Sequence, residues 1–212
     1  HTWGFYWRLG VPEQYDLLED AMKYSEMIVF WSSDPEATSG VFAGQESTVR
    51  RLWLKHDLSL KMIFIDPYCN DTAAIFADKW LAPRPGTDAA LALAISYVWL
   101  TEETYDRDYV ATHTHGFDRW VGYVLGKEDG TSKDPHWAEK ITGIPARDIR
   151  ALAREWASKR TMLAAGGLGG WGGACRSAYA TEWARMMVLL QAMQGLGKPG
   201  INIWSTTGGS PY

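Results

Sequence analysis

Ile63-Phe-Ile-Asp-Pro-Tyr-Cys-Asn70 is the stretch on which the fold turns. An apolar run of strand length ends on an acid, and a short helix-like span then leads to Ala82-Pro-Arg-Pro-Gly-Thr-Asp-Ala-Ala90. Read together, a buried strand closing on Asp66 and a rigid Pro-Gly turn presenting Asp88 at a helix start describe a nucleotide cradle.

Moving outward, Gln14 to Tyr24 carries Leu17, Leu18, Ala21 and Met22 at helical spacing, and Met27 to Trp31 reads as a short buried strand. Ser47 to His56 is again helical, with Val49, Leu52 and Trp53 on one face, before the strand Lys61 to Asp66. Strand, helix, strand at these lengths predicts a right-handed parallel crossover. Thr87 to Leu100 is an almost wholly apolar helix capped by Thr87 or Asp88. Tyr105 to Ala111, Phe117 to Leu125, Pro135 to Lys140 and Pro145 to Lys159 follow as helices broken by Gly116, Gly126, Gly130 and Gly143. Thr161 to Ala165 is a third strand, which runs into the glycine-rich Gly166 to Gly173, and a long helix spans Arg176 to Met193. The expected fold is α/β: a parallel-sheet, Rossmann-like dinucleotide-binding domain with inserted helices.

Composition narrows the functional classes. The 212 residues are 46% hydrophobic and 22% charged, enough for one sizeable core. A net charge of -4 without a Lys/Arg run argues against nucleic acid as a partner, and Arg50-Arg51 and Lys159-Arg160 read as solvated helix faces. No apolar run approaches the length of a membrane span. Cys69 and Cys175 form no CxxC pair and read as two small buried thiols. His113 and His115 have no third ligand at metal spacing and read as solvated loop residues. Several of the 12 tryptophans sit in glycine-rich or terminal segments, where indoles line a pocket more readily than a core. An opening at His1 and a close after Ser205 to Pro211 suggest a piece of a longer polypeptide.

Chemistry should collect at the carboxyl ends of the strands. Trp31-Ser-Ser-Asp-Pro-Glu-Ala-Thr38 offers hydroxyls and amides to phosphate or ribose oxygens, and serves equally as an Asp-Pro turn. Asp66 occupies the ribose-accepting position of dinucleotide folds, yet no GxGxxG follows the first strand, so an ordinary NAD site is disfavoured. A strand-terminating Asp66 that caps Cys69 or Asn70 is an equal alternative. Asp88 suits the N1–H and exocyclic amine of guanine, and is also compatible with a helix cap. Six glycines between Gly166 and Gly173 leave amides free for an anion or a bulky cofactor.

These segments, with Phe30-Trp-Ser-Ser-Asp-Pro35, Tyr105-Asp-Arg-Asp-Tyr-Val110, Trp137-Ala-Glu-Lys-Ile-Thr-Gly143 and Gly195-Leu-Gly-Lys-Pro-Gly200, resemble in order the catalytic subunit of molybdenum enzymes of the dimethyl sulfoxide reductase family. Within it, Gly126-Lys-Glu-Asp-Gly130, Glu155 to Thr161 and His1-Thr-Trp-Gly4 look most like the large subunits of pyrogallol–phloroglucinol transhydroxylases and catechol dehydroxylases. The resemblance implies two molybdopterin guanine dinucleotides holding Mo or W, and iron–sulfur clusters in other segments or subunits. It makes residues 1–212 the central cofactor-binding part of a larger multidomain subunit, with the metal-ligand and cluster region and a C-terminal cofactor domain lying outside it. Ser33, Asp34 and Thr38 would contact one dinucleotide, Asp66 and Asn70 its ribose, and Arg84, Gly86 and Asp88 its guanine. Gly166, Gly167 and Trp171 would border the pterin and substrate, and His1, Trp3 and Trp171 would contact a phenolic ring and handle its proton. The implied partners are a small phenol and an iron–sulfur electron-transfer subunit. A cytoplasmic location is favoured, with twin-arginine export the alternative. The rival functions are an S-oxide or N-oxide reductase of the same family and a noncatalytic nucleotide-binding subunit.

Overall fold

A computed structural model describes residues 17–38, 51–165, 174 and 177–204. Five parallel strands form one sheet in the order β3-β2-β1-β4-β5: β1 (Met27–Trp31), β2 (Lys61–Ile65), β3 (Lys79–Leu81), β4 (Thr161–Ala165) and β5 (Ile203–Trp204). In register, Trp31 faces Ile65 on one side and Ala165 on the other, so the strands end along one edge. The chain runs outward from β1 through β2 to β3, then returns to place β4 on the other side of β1. The gap between β1 and β4 is therefore the point where strand order reverses, the usual place for a ligand in an open α/β sheet.

Alternation along the strands divides the core into two layers. Met27, Val29, Trp31, Ile63, Ile65 and Leu163 pack on one face beneath α5 (Asp88–Thr101), α8 (Pro135–Thr142), α9 (Ala146–Ala157) and α10 (Ala180–Gln194). Ile28, Phe30, Met62, Phe64 and Met162 pack on the other against Ala21 of α1 (Leu17–Tyr24), Leu54 of α3 (Trp53–Asp57, wound as a π-helix) and Phe76 of α4 (Asp71–Phe76). Burial on both faces explains why the strands read as continuous apolar runs rather than alternating ones. Lying between the sheet and the outer helices, α5 is apolar all round, and Trp99 within it donates to the Ala153 carbonyl at 2.7 Å. The remaining helices are α2 (Pro35–Thr38), α6 (Arg107–His113) and α7 (Phe117–Val124). Gly116, Gly126, Gly130 and Gly143 all take positive φ at the predicted helix breaks.

Three expectations need correction. The sheet gains β3 and β5, whose three and two residues are too short to show a period. Arg51 is not a solvated helix-face residue: it is buried, with Nε 2.7 Å from Glu36 Oε1, because a guanidinium can be buried when its charge is paired. Cys69 is exposed rather than buried, since it lies in the loop between β2 and α4, while Cys175 falls outside the described residues. The tryptophans of the terminal and glycine-rich segments, Trp3, Trp7 and Trp171, fall outside the described residues, while Trp31, Trp99, Trp156 and Trp183 are fully buried in the core. His113 and His115 are exposed, as expected, although His113 ends α6 rather than lying in a loop.

Candidate functional site

The carboxyl edge of the sheet gathers Asp34, Asp66 and Asp88 from three separate loops. Ser32, directly after β1, takes a positive φ of 52°, and its amide donates to the Ile65 carbonyl at 2.8 Å. A non-glycine residue in that region costs energy that the surrounding bonds must hold in place. The Ser32 hydroxyl accepts from the Ala174 amide at 2.7 Å, tying the loop after β1 to the segment beyond β4.

Asn70 organises the second loop. Its Oδ1 caps α4 by accepting from the Ala73 amide at 2.8 Å, and its Nδ2 donates to the Ser33 carbonyl at 3.2 Å and to Asp66 Oδ2 at 3.4 Å. Asp34 Oδ1 accepts from the Thr72 hydroxyl at 2.6 Å, which joins the first loop to α4. Among the described residues, Asp66 is held by long contacts: the Tyr68 amide and Asn70 Nδ2 each lie 3.4 Å from its oxygens. Burial is the main influence on this carboxyl and lifts it from 3.8 to about 6; the two donors pull downward, and the Asp34 and Asp88 charges add to the rise.

Asp88 does not hold the N-cap position of α5. Thr87 holds the N-cap position, with its hydroxyl donating back to the Arg84 carbonyl at 2.7 Å. Asp88, buried at 4% exposure, accepts instead from Trp31 Nε1 across the edge at 2.9 Å. Burial holds its carboxyl above the usual range, against the pull of the Trp31 bond. Among the described residues no other side chain donates to it. Gly86, at φ +77°, makes the turn that brings α5 to this edge.

The loops bring Ser33, Asp34, Asp66, Asn70 and Asp88 together, while Arg84 turns away. Its exposed guanidinium donates to the Lys140 and Ile141 carbonyls at 2.9 and 3.2 Å, at the end of α8. Thr38 ends α2, but its side chain is outside the described residues, as are His1, Trp3, Gly166, Gly167 and Trp171. Trp31 was missed as a site residue because its partner lies 57 positions away. Among the described residues there is no cluster of His, Cys, Asp and Glu fit for a metal, and no helix is long and apolar enough to cross a membrane.

Buried acceptors with few internal donors, at the reversal of a parallel sheet, suit a ligand rich in hydrogen-bond donors. Residues 13–207 match the family model for molybdopterin oxidoreductases. The chain belongs to the molybdopterin oxidoreductase family. The pyrogallol hydroxytransferase large subunit of Pelobacter acidigallici is 63% identical over 211 residues, covering 100% of this chain and 24% of that protein. A dimethyl sulfoxide/trimethylamine N-oxide reductase of Rhodobacter capsulatus is 35% identical over 202 residues, covering 91% and 23%. The solved acetylene hydratase of Pelobacter acetylenicus matches 85% of this chain and 23% of its own with a TM-score of 0.65 at 24% identity, which supports the fold. This molybdopterin oxidoreductase chain thus spans about a quarter of the length of these relatives. Membership implies a metal-bearing molybdopterin cofactor, and the unspent acceptors of Asp66 and Asp88 fit its donor groups.

Proposed function

We propose that this chain is the central cofactor-holding part of a larger Mo or W enzyme that moves hydroxyl or oxygen on a phenolic ring, by transhydroxylation or reductive dehydroxylation. The observation that carries the cofactor reading is the buried Asp88 carboxylate, oriented by Trp31 at the sheet edge rather than used as a cap. Asp88 accepts the N1–H and 2-amino group of a guanine, with Gly86 bordering it. Asp66 and Asn70 accept ribose hydroxyls, and Ser33, Asp34 and Thr38 line the loop beside them. Gly166 and Gly167 border the pterin. The cofactor, in the form of two molybdopterin guanine dinucleotides, supplies a metal that changes oxidation state and exchanges oxygen with substrate. This chain's part is to hold the dinucleotide and to shield it from water. His1, Trp3 and Trp171 are the residues proposed to grip the aromatic ring and handle its proton.

Identity of 63% to a pyrogallol hydroxytransferase large subunit favours a phenolic substrate over an S-oxide or N-oxide, for which the similarity is 35%. The metal-ligand region, the cluster region and a second cofactor domain are assigned to parts of the subunit outside residues 1–212, and electrons to an iron–sulfur partner subunit. The full-length subunit, purified with its companions, tests this reading by elemental analysis and by turnover of polyhydroxybenzenes against dimethyl sulfoxide and trimethylamine N-oxide. Mo or W with turnover of the phenols supports it. Turnover of the oxides alone replaces the substrate class, and absence of both metals from an active preparation removes the proposal.

A further inference from the structure

Trp31 closes β1 with its ring fully buried on the face that α5 covers, and its Nε1 lies 2.9 Å from Asp88 Oδ1. The bond is not a mere requirement of burying an indole. Trp99 satisfies its own N–H with a backbone carbonyl at 2.7 Å, and the buried Nε1 atoms of Trp120 and Trp156 have no partner at all among the described residues. Among the described residues, Trp31 alone points its indole donor at the Asp88 carboxylate.

An indole nitrogen donates and never accepts. An Asp carboxylate that receives it keeps one lone pair on the bonded oxygen and two on the other, sufficient for two parallel donors from a base. Resting on the guanine reading above, we propose that Trp31 is a specificity-determining positioning residue: its N–H fixes Asp88 as an acceptor-only edge that takes guanine and rejects adenine.

Guanine presents two neighbouring donors, N1–H and the 2-amino group, and so matches an ionised carboxylate. Adenine presents an acceptor beside a donor, and so matches a protonated carboxyl, which offers one of each. Burial drives Asp88 toward the protonated form, and the Trp31 bond, followed by Asp88's own amide, opposes it. The other carboxylates on this edge are Asp66 at the end of β2, whose charge repels that of Asp88, and Asp34, which acts on Asp66. The choice of base thus depends on the indole donor. Its direction is fixed because a fully buried Trp has two stiff torsions and no room to turn.

The test uses the cofactor-free full-length subunit, titrated calorimetrically with GDP, ADP and xanthosine diphosphate at neutral and mildly acidic pH. Wild type should prefer GDP over ADP by about tenfold or more, the scale of a bidentate base contact. Trp31→Phe keeps the ring and removes the donor. It should cut GDP affinity by about tenfold while sparing ADP, and the loss should deepen on acidification. In Asp88→Asn the indole N–H selects the amide oxygen and turns the NH2 toward the base, so preference should pass from GDP to xanthosine diphosphate. Equal loss of GDP and ADP in Trp31→Phe would make the indole purely structural and overturn the inference while leaving the guanine reading intact. A wild type that binds none of the three, or does not favour GDP, overturns both. Should Trp31→Phe not fold, Asp88→Asn decides: without a switch to xanthosine diphosphate the inference fails.

Discussion

Replacing Asp66 by Asn should stabilise the cofactor-free protein at neutral pH and weaken its cofactor site, the mark of a residue retained for binding rather than folding. Asp66 is buried and its carboxyl rises from 3.8 to about 6, chiefly through burial. Below the lower value, folded and unfolded chains both carry the proton and the charge costs nothing. Between the two values the folded chain alone holds the proton, so stability falls as pH rises. Above about 6 both forms have lost it and the wild type carries the whole penalty. A rise from 3.8 to about 6 at ~1.4 kcal/mol per unit corresponds to roughly 3 kcal/mol. The substitution is nearly isosteric and forfeits at most one of two contacts that are already 3.4 Å long, which leaves a net gain of about 2 kcal/mol. Urea unfolding of both proteins at intervals from pH 4 to pH 8 reads this directly. The two should converge at the acid end and Asn should pull ahead as pH rises. A difference that stays constant with pH, or a less stable Asp66→Asn at pH 8, would refute the reasoning.

Other consequences follow from the frame that holds the site. A Cβ on Gly200, at φ +80°, would meet the Tyr24 carbonyl carbon and oxygen at 2.7 Å, whereas one on Gly197, at φ +92°, would meet nothing within 4 Å. Gly200→Ala should therefore cost about 2–4 kcal/mol and Gly197→Ala about 1, a gap that thermal unfolding will resolve. Trp99→Phe removes the indole donor that the Ala153 carbonyl accepts within α9 and should cost about 1–2 kcal/mol in urea titration; an unchanged midpoint would show that this bond adds nothing to stability.

Much of the architecture was legible because the strands and long helices carry their own periods. Met27 to Trp31, Lys61 to Ile65 and Thr161 to Ala165 are uninterrupted apolar runs, and a parallel sheet covered on both faces demands that pattern. Lys79–Leu81 and Ile203–Trp204 stayed hidden because short edge strands take their identity from a neighbour's hydrogen bonds, which leave no local trace. The site divided in the same way. Asp66 and Asn70 stand out from strand ending and turn chemistry, but the meaning of Asp88 depended on an indole from another strand. Arg84 looked like a ligand group because it sits in the Pro-Gly turn; its guanidinium lies instead on the end of α8. Arg51 looked solvated because Glu36, which pairs with it, lies 15 positions away in α2, which local periodicity does not connect to it.

The central claim is that Asp88 reads a guanine at the edge of this sheet. Determining the structure of the cofactor-loaded full-length subunit tests it most directly. The account predicts the guanine N1–H and 2-amino group within hydrogen-bond distance of the Asp88 carboxylate, Trp31 Nε1 still bonded to Oδ1, and a ribose hydroxyl on Asp66. A dinucleotide that runs elsewhere, with Asp88 touching Trp31 and nothing more, would contradict it.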